Sequence, residues 1–248
     1  MQQRRHFLTT AILAAPASQL TAADPSLYPE FPRQSPTLVR EMLVASHGNL
    51  AKVKDLLKLR PALANAAWDW GFGDWETALA AAAHMGNRDI AEELLAAGAQ
   101  PTLFSAAMLG QAAVVKAMLD ARPELATSLG AHGIPLIAHA KGEALAYLKT
   151  VPAANQPEPA RTKLTEEQLT QITGAYQHDL TVTRKNTQLF VTRTGSDPRM
   201  MIHDGNLQFH PTGARAVSVH FENTTGGATP SIVIQDGDLT VRAARLKQ

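Results

Sequence analysis

Hydrophobic and polar positions follow two different rhythms along this 248-residue chain. Up to about residue 150 the apolar positions recur at helical spacing, as in Ile90, Ala91, Leu94 and Leu95. Four short, mostly Ala-rich stretches run into a glycine: Met42–Gly48, Thr77–Gly86, Phe104–Gly110 and Ile134–Gly142. Glycine tolerates the left-handed conformation just past a helix end, so each reads as a helix with its stop signal. A second periodic segment follows each one, over 53–59, 90–95, 114–119 and, more weakly, 144–148. The pattern predicts four helix–turn–helix units. From Tyr176 onward the period drops to two. Leu180–Arg184 and Leu189–Arg193 alternate around Lys185-Asn186-Thr187, and Met200–His203 and Leu207–His210 flank Asp204-Gly205-Asn206. With Val217–Phe221, Ile232–Ile234 and Leu239–Val241 this predicts about seven short strands in an antiparallel sandwich or barrel.

Between the two rhythms, residues 151–163 carry Pro152, Pro157 and Pro159 and read as an extended linker. Leu164–Thr173 then reads as a short amphipathic helix, with Thr165 as N-cap and Gln168 as its capping-box partner. The expected fold class is therefore α + β, in two domains over 37–150 and 164–248.

The helix–Gly–helix unit resembles the ankyrin repeat. Thr77–Gly86 matches that family's T-P-L-H-x-A-A-x-x-G line except at Ala78 and Ala80, and Asn87–Ala99 continues it. The resemblance covers residues 37–150 and implies an α-solenoid with a shallow concave groove that holds a protein or peptide. The marker glycines are 38, 24 and 32 residues apart, against a family period of about 33. The first inter-unit loop is therefore long and the second too short for a full hairpin. The long loop, Trp68–Glu76, holds all three tryptophans. They read either as an aromatic finger for a partner or as plugs over the small inner helices. Gly71-Phe72-Gly73 within it lacks the third glycine of a nucleotide loop and follows no strand. Candidate partner contacts are Trp68, Trp70, Phe72, Trp75, His84, Met85, Met108 and Leu109.

The order Gly174-x-Tyr176, a strand with Val182, a hairpin to Leu189, then Leu207-x-Phe209, Val219-x-Phe221 and an Arg-rich last strand resembles a small lipocalin-like β domain. That domain is often appended to bacterial serine β-lactamase-like and S12-type peptidases. It is not their catalytic part, and their Ser-x-x-Lys nucleophile has no counterpart here. The resemblance implies two alternatives to a protein-binding role. One is a carrier of small lipophilic ligands lined by Tyr176, Val182, Val191, Phe209 and Phe221; the other is an accessory protein of an envelope hydrolase.

Residues 1–23 have the charged start, short apolar middle and small-residue end of a signal peptide. Arg4-Arg5 before Phe7-Leu8 resembles the twin-arginine export signal, with Gln3 and Thr9 as departures. An ordinary N-terminal helix would need a polar face and would not hold Pro16. The resemblance implies export of a folded body to the periplasm or beyond, with no transmembrane segment in the mature chain.

Composition narrows the chemistry. Hydrophobic residues make up 45% and charged residues 18%, which excludes global disorder. The formal net charge of +1 becomes −1 once Arg4 and Arg5 are removed, and neither half has a basic face for nucleic acid. Cysteine is absent, so disulfides, thiolate metal sites and a cysteine nucleophile are excluded. The sequence contains no His-Glu-x-x-His and no Gly-x-Ser-x-Gly. His132 and His139 flank a turn. His203, His210 and His220 fall on neighbouring strands, either as a metal pair or as rim imidazoles without a carboxylate at ligand spacing. His47 and His84 precede turn glycines, where groove-lining or solvated residues are expected. The sequence alone thus points to a non-enzymatic binding protein with no catalytic residues, metal or cofactor.

Overall fold

Alanine and leucine at helical spacing form eight helices in four pairs, seen in a computed structural model that describes residues 30, 32–157, 163–222 and 230–247. The signal-like segment 1–23 and residues 158–162 of the linker lie outside the described residues. The pairs are α1 (Pro36–Ser46) with α2 (Leu50–Leu59), α3 (Ala78–Met85) with α4 (Arg88–Ala96), α5 (Leu103–Met108) with α6 (Ala112–Ala121), and α7 (Leu136–His139) with α8 (Gly142–Lys149). The first helices of successive pairs touch in the order α1, α3, α5, α7. Buried Ala78, Ala81, Ala82 and Ala83 of α3 leave room for that close approach.

Local signals set the boundaries. The Thr77 hydroxyl accepts from the Ala80 amide, and Gly86 closes α3 in the left-handed region at φ +71°. The fourth unit departs from expectation: α7 stops at His139, and Gly142 opens α8 instead of capping α7. Ala140 and Lys141 are extended, and the Lys141 amide bonds the Ala107 carbonyl.

The long first loop is a hairpin of β1 (Ala67–Asp69) and β2 (Trp75–Thr77), with Trp68 opposite Glu76. The connection after α6 makes 3-10 turns at Pro123–Thr127 and Ala131–Gly133. Pro152–Asn155 makes another such turn, with Ala154 buried. That part of the linker therefore packs rather than extending.

The second half forms α9 (Glu166–Ile172), capped by the Thr165–Gln168 box, and one curled sheet. Its strands are β3 (Gly174–Ala175), β4 (Leu180–Lys185), β5 (Gln188–Arg193), β6 (Arg199–Gly205), β7 (Gln208–Pro211), β8 (Ser218–Glu222), β9 (Ser231–Asp236) and β10 (Leu239–Ala244). They pair antiparallel in sequence order as a half-barrel, and a bridge from Tyr176 to Arg245 ties its two edges. Inward-facing Val182, Val191, Phe209 and Phe221 pack with Tyr176 against Leu169 and Ile172 of α9, so side chains fill the concave face. Helical stack and half-barrel belong to one compact unit, Pro36–Gln248. No helix among the described residues is long and apolar enough to cross a membrane.

Candidate metal centre

Strand alternation in β2 turns Trp75 and Thr77 outward and buries Glu76, which therefore faces the ends of the first helices. Three imidazoles meet it there. His47 follows α1, and its Nδ1 lies 2.9 Å from the Leu43 carbonyl. His84 stands in the last turn of α3. His132 sits in the loop after α6 with left-handed backbone at φ +59°, an uncommon conformation for a side-chain-bearing residue. Asp74 holds it there: one carboxylate oxygen accepts the His132 amide at 2.9 Å, the other accepts Nδ1–H at 2.7 Å.

The partners fix the tautomers. A carbonyl and a carboxylate only accept, so Nδ1 carries the proton in His47 and in His132. In their neutral forms both rings then present a bare Nε2 to the centre. His84 Nε2 lies 2.9 Å from Glu76 Oε1 and 3.3 Å from His47 Nε2. His132 Nε2 is 3.4 Å from Glu76 Oε1, and His47 Nε2 is 3.6 Å from Oε2. The four ligand atoms all lie within 4.8 Å of one another. Tetrahedral donors around zinc, at bonds of about 2.0–2.1 Å, are separated by about 3.3 Å. The residues thus form a His3Glu donor set of the right size for one ion.

Outer contacts orient three of the four donors. Leu43 holds His47, Asp74 holds His132, and the Trp70 indole N–H donates to Glu76 Oε2 at 2.7 Å. The last bond leaves Oε1 nearer His84 and His132. Such outer-shell partners are characteristic of metal ligands. The Trp70 ring centroid lies 6.2 Å from both His47 and His132.

Charge points the same way. The Glu76 side chain has no solvent exposure and that of Asp74 only 2%, while Arg199 is the buried guanidinium that pairs with Asp74. Two carboxylates against one guanidinium leave a net −1 beside the imidazoles. Burial alone raises the Glu76 carboxyl, but hydrogen bonds from His132 and His84 outweigh it and hold the group at about 2. Burial likewise lowers His132, and Asp74 and Glu76 overcome it to raise the ring to about 9. Without an ion, a proton on His132 supplies the missing positive charge.

The residues expected to contact a partner scatter. Met108 is 1% exposed in the helical core, so it lines no groove, and Leu109 packs against the same core. Trp68 and Trp70 also pack there as plugs, and Phe72 at the hairpin tip packs against the half-barrel core. Only Trp75 and Met85, at 65% and 53% exposure, face solvent. His84 is a member of the centre. Glu76, Asp74, His132 and His47 were not among the expected site residues. One signal for two of the four donors did exist: His47 and His84 both lie near the turn glycine at the same end of neighbouring first helices.

A cleft of about 600 Å³ runs from Leu129, His132 and Ile134 across to Met200, His203 and His210 on β6 and β7. His203 and His210 do not join the centre; His210 pairs with Asp204, and His220 with Glu222. The chain matches no protein-family model, no curated protein and no solved structure.

Proposed function

We propose that the protein binds one divalent transition-metal ion, zinc by preference, through His47, Glu76, His84 and His132. The observation that carries this reading is the convergence of three imidazoles on one buried carboxylate, at separations that fit four-coordinate zinc. A proton on His132 balances the charge when no ion is bound, but it serves Glu76 alone and leaves the bare Nε2 of His47 where it was. Each neutral ring has a single N–H, and in His47 and His132 it is already committed to Leu43 and Asp74. One ion at the centre would accept a lone pair from each of the four residues at once. With four protein donors the site is closed, as in structural rather than catalytic zinc centres. The ion would tie α1, β2, α3 and the loop after α6 into one body.

In this reading the helix pairs stack in the manner of ankyrin repeats and the metal stiffens the scaffold. The successive contacts of the first helices and the near-complete repeat motif at Thr77–Gly86 support that view. Exposed Trp75 and Met85 remain the candidate contacts for a protein or peptide partner. If the twin-arginine-like start directs export of a folded body, the ion travels with the chain to the cell envelope.

The test is elemental analysis and zinc titration of the purified protein after dialysis against a chelator. One ion per chain is expected, lost in His84→Ala and in Glu76→Gln. A wild-type protein that takes up no zinc at micromolar free concentration overturns the reading.

A further inference from the structure

We propose that the C-terminal half-barrel is part of the metal centre: Arg199 fixes Asp74, and Asp74 fixes the ring of the ligand His132. The inference rests on the metal-binding reading above. Arg199 opens β6, yet its side chain is 10% exposed and reaches across to the hairpin of the helical half. Its Nη2 pairs with Asp74 Oδ2 and donates to the Thr212 carbonyl at 2.6 Å. Asp74 then spends its other contacts on His132, one on the backbone and one on the ring. A carboxylate placed so firmly on Nδ1–H keeps the tautomer that aims Nε2 at the ion and raises the basicity of that nitrogen.

The approach is built into the chain at Gly213. A side chain on Gly213 would overlap the Asp74 carboxylate, and one on Gly71 would rest 3.6 Å from the Arg199 Cγ. Two residues before Arg199, Asp197 holds a second line. It pairs with Arg40 of α1 at 2.8 Å, and the Arg40 guanidinium lies 5.8 Å from the centroid of the Trp70 ring, whose N–H holds Glu76. The segment entering β6 thus reaches two ligands through two separate chains of contacts. Arg199–Asp74 is buried, whereas Arg40–Asp197 is largely exposed, so the first line carries the larger effect.

Arg199 is therefore a positioning residue for the metal, and its removal should be read in zinc affinity. Zinc competition against a chromogenic chelator, well below the unfolding transition, is measured for the full chain and for Arg199→Met, Arg199→Lys and Asp74→Asn. Co2+ absorption reports the geometry. Arg199→Met and Asp74→Asn should each weaken zinc binding about 10–100-fold while keeping one ion per chain. Arg199→Lys should recover part of the loss, and Arg242→Met, on the distant last strand, should change nothing. A salt bridge that merely joins two halves would lower the melting temperature of the zinc-free protein and leave zinc affinity alone. Wild-type affinity in both Arg199→Met and Asp74→Asn overturns the inference. Should Arg199→Met fail to fold, Asp74→Asn and Arg199→Lys decide it. If wild type binds zinc and His84→Ala does not, such a result sinks this inference alone; if wild type binds none, the metal-binding reading itself fails.

Discussion

Trp70 does two jobs with one side chain. Its ring packs on the helical core and its N–H holds the inner carboxylate. Trp70→Phe separates them, because the packing largely survives and the bond does not. Leaving Glu76 Oε2 buried without that donor should cost about 1–3 kcal/mol in urea unfolding of the zinc-free protein. The same change should weaken zinc about tenfold in the competition titration. His139 shows a different residue-scale effect. It is 2% exposed, and burial lowers its pKa below the usual 6.5. The unfolded chain therefore binds a proton that the folded ring resists, so its contribution is present above about 6.5 and is lost as pH falls below it. Denaturant midpoints of wild type and His139→Gln, taken in chelator, should differ in slope against pH below that value and run parallel above it.

At the scale of elements, Thr77 joins two ligands. It ends the strand that carries Glu76 and caps the helix that carries His84. Thr77→Ala removes the cap bond and should cost about 1 kcal/mol by thermal or urea unfolding. Gly213→Ala is the stronger perturbation. It puts a Cβ at φ +79° into the Asp74 carboxylate, so the loss should exceed the roughly 1–2 kcal/mol of left-handed backbone strain alone. Most of the elements were legible in the sequence, because each depends on neighbours a few residues away; β1 and β2, read there as a loop that follows no strand, were not. Thr165–Gln168 predicts its capping box, period two predicts β4 through β10, and the Ala-rich runs predict α1, α3 and α5. The fate of the hairpin was not legible. Nothing in Gly71-Phe72-Gly73 says that Phe72 will enter the half-barrel core, since that depends on surface supplied more than 100 positions later. The centre was half legible at best. His47 and His84 recur at matching ends of adjacent helices, but Glu76 arrives on β2 of the hairpin and His132 on a turn, and tertiary packing alone brings both to the helix ends.

For the whole molecule, the ion and the fold are thermodynamically linked. Zinc binds the assembled centre and only weakly the unfolded chain, so free zinc at 100 times Kd should add about 2.7 kcal/mol of stability. For a chain of this size that is a rise in melting temperature of about 5–11 °C, reversible with chelator, in a calorimetric scan. A shift confined to one half of a split transition would contradict the single compact unit formed by stack and half-barrel. The four donors span residues 47 to 132, and their outermost brace comes from residue 199. A growing polypeptide therefore has no finished ion trap until three helix pairs and the following loop have closed on one another. Tight capture then marks molecules that have completed that closure, and a zinc-displacement dye would count them one by one in a refolding mixture.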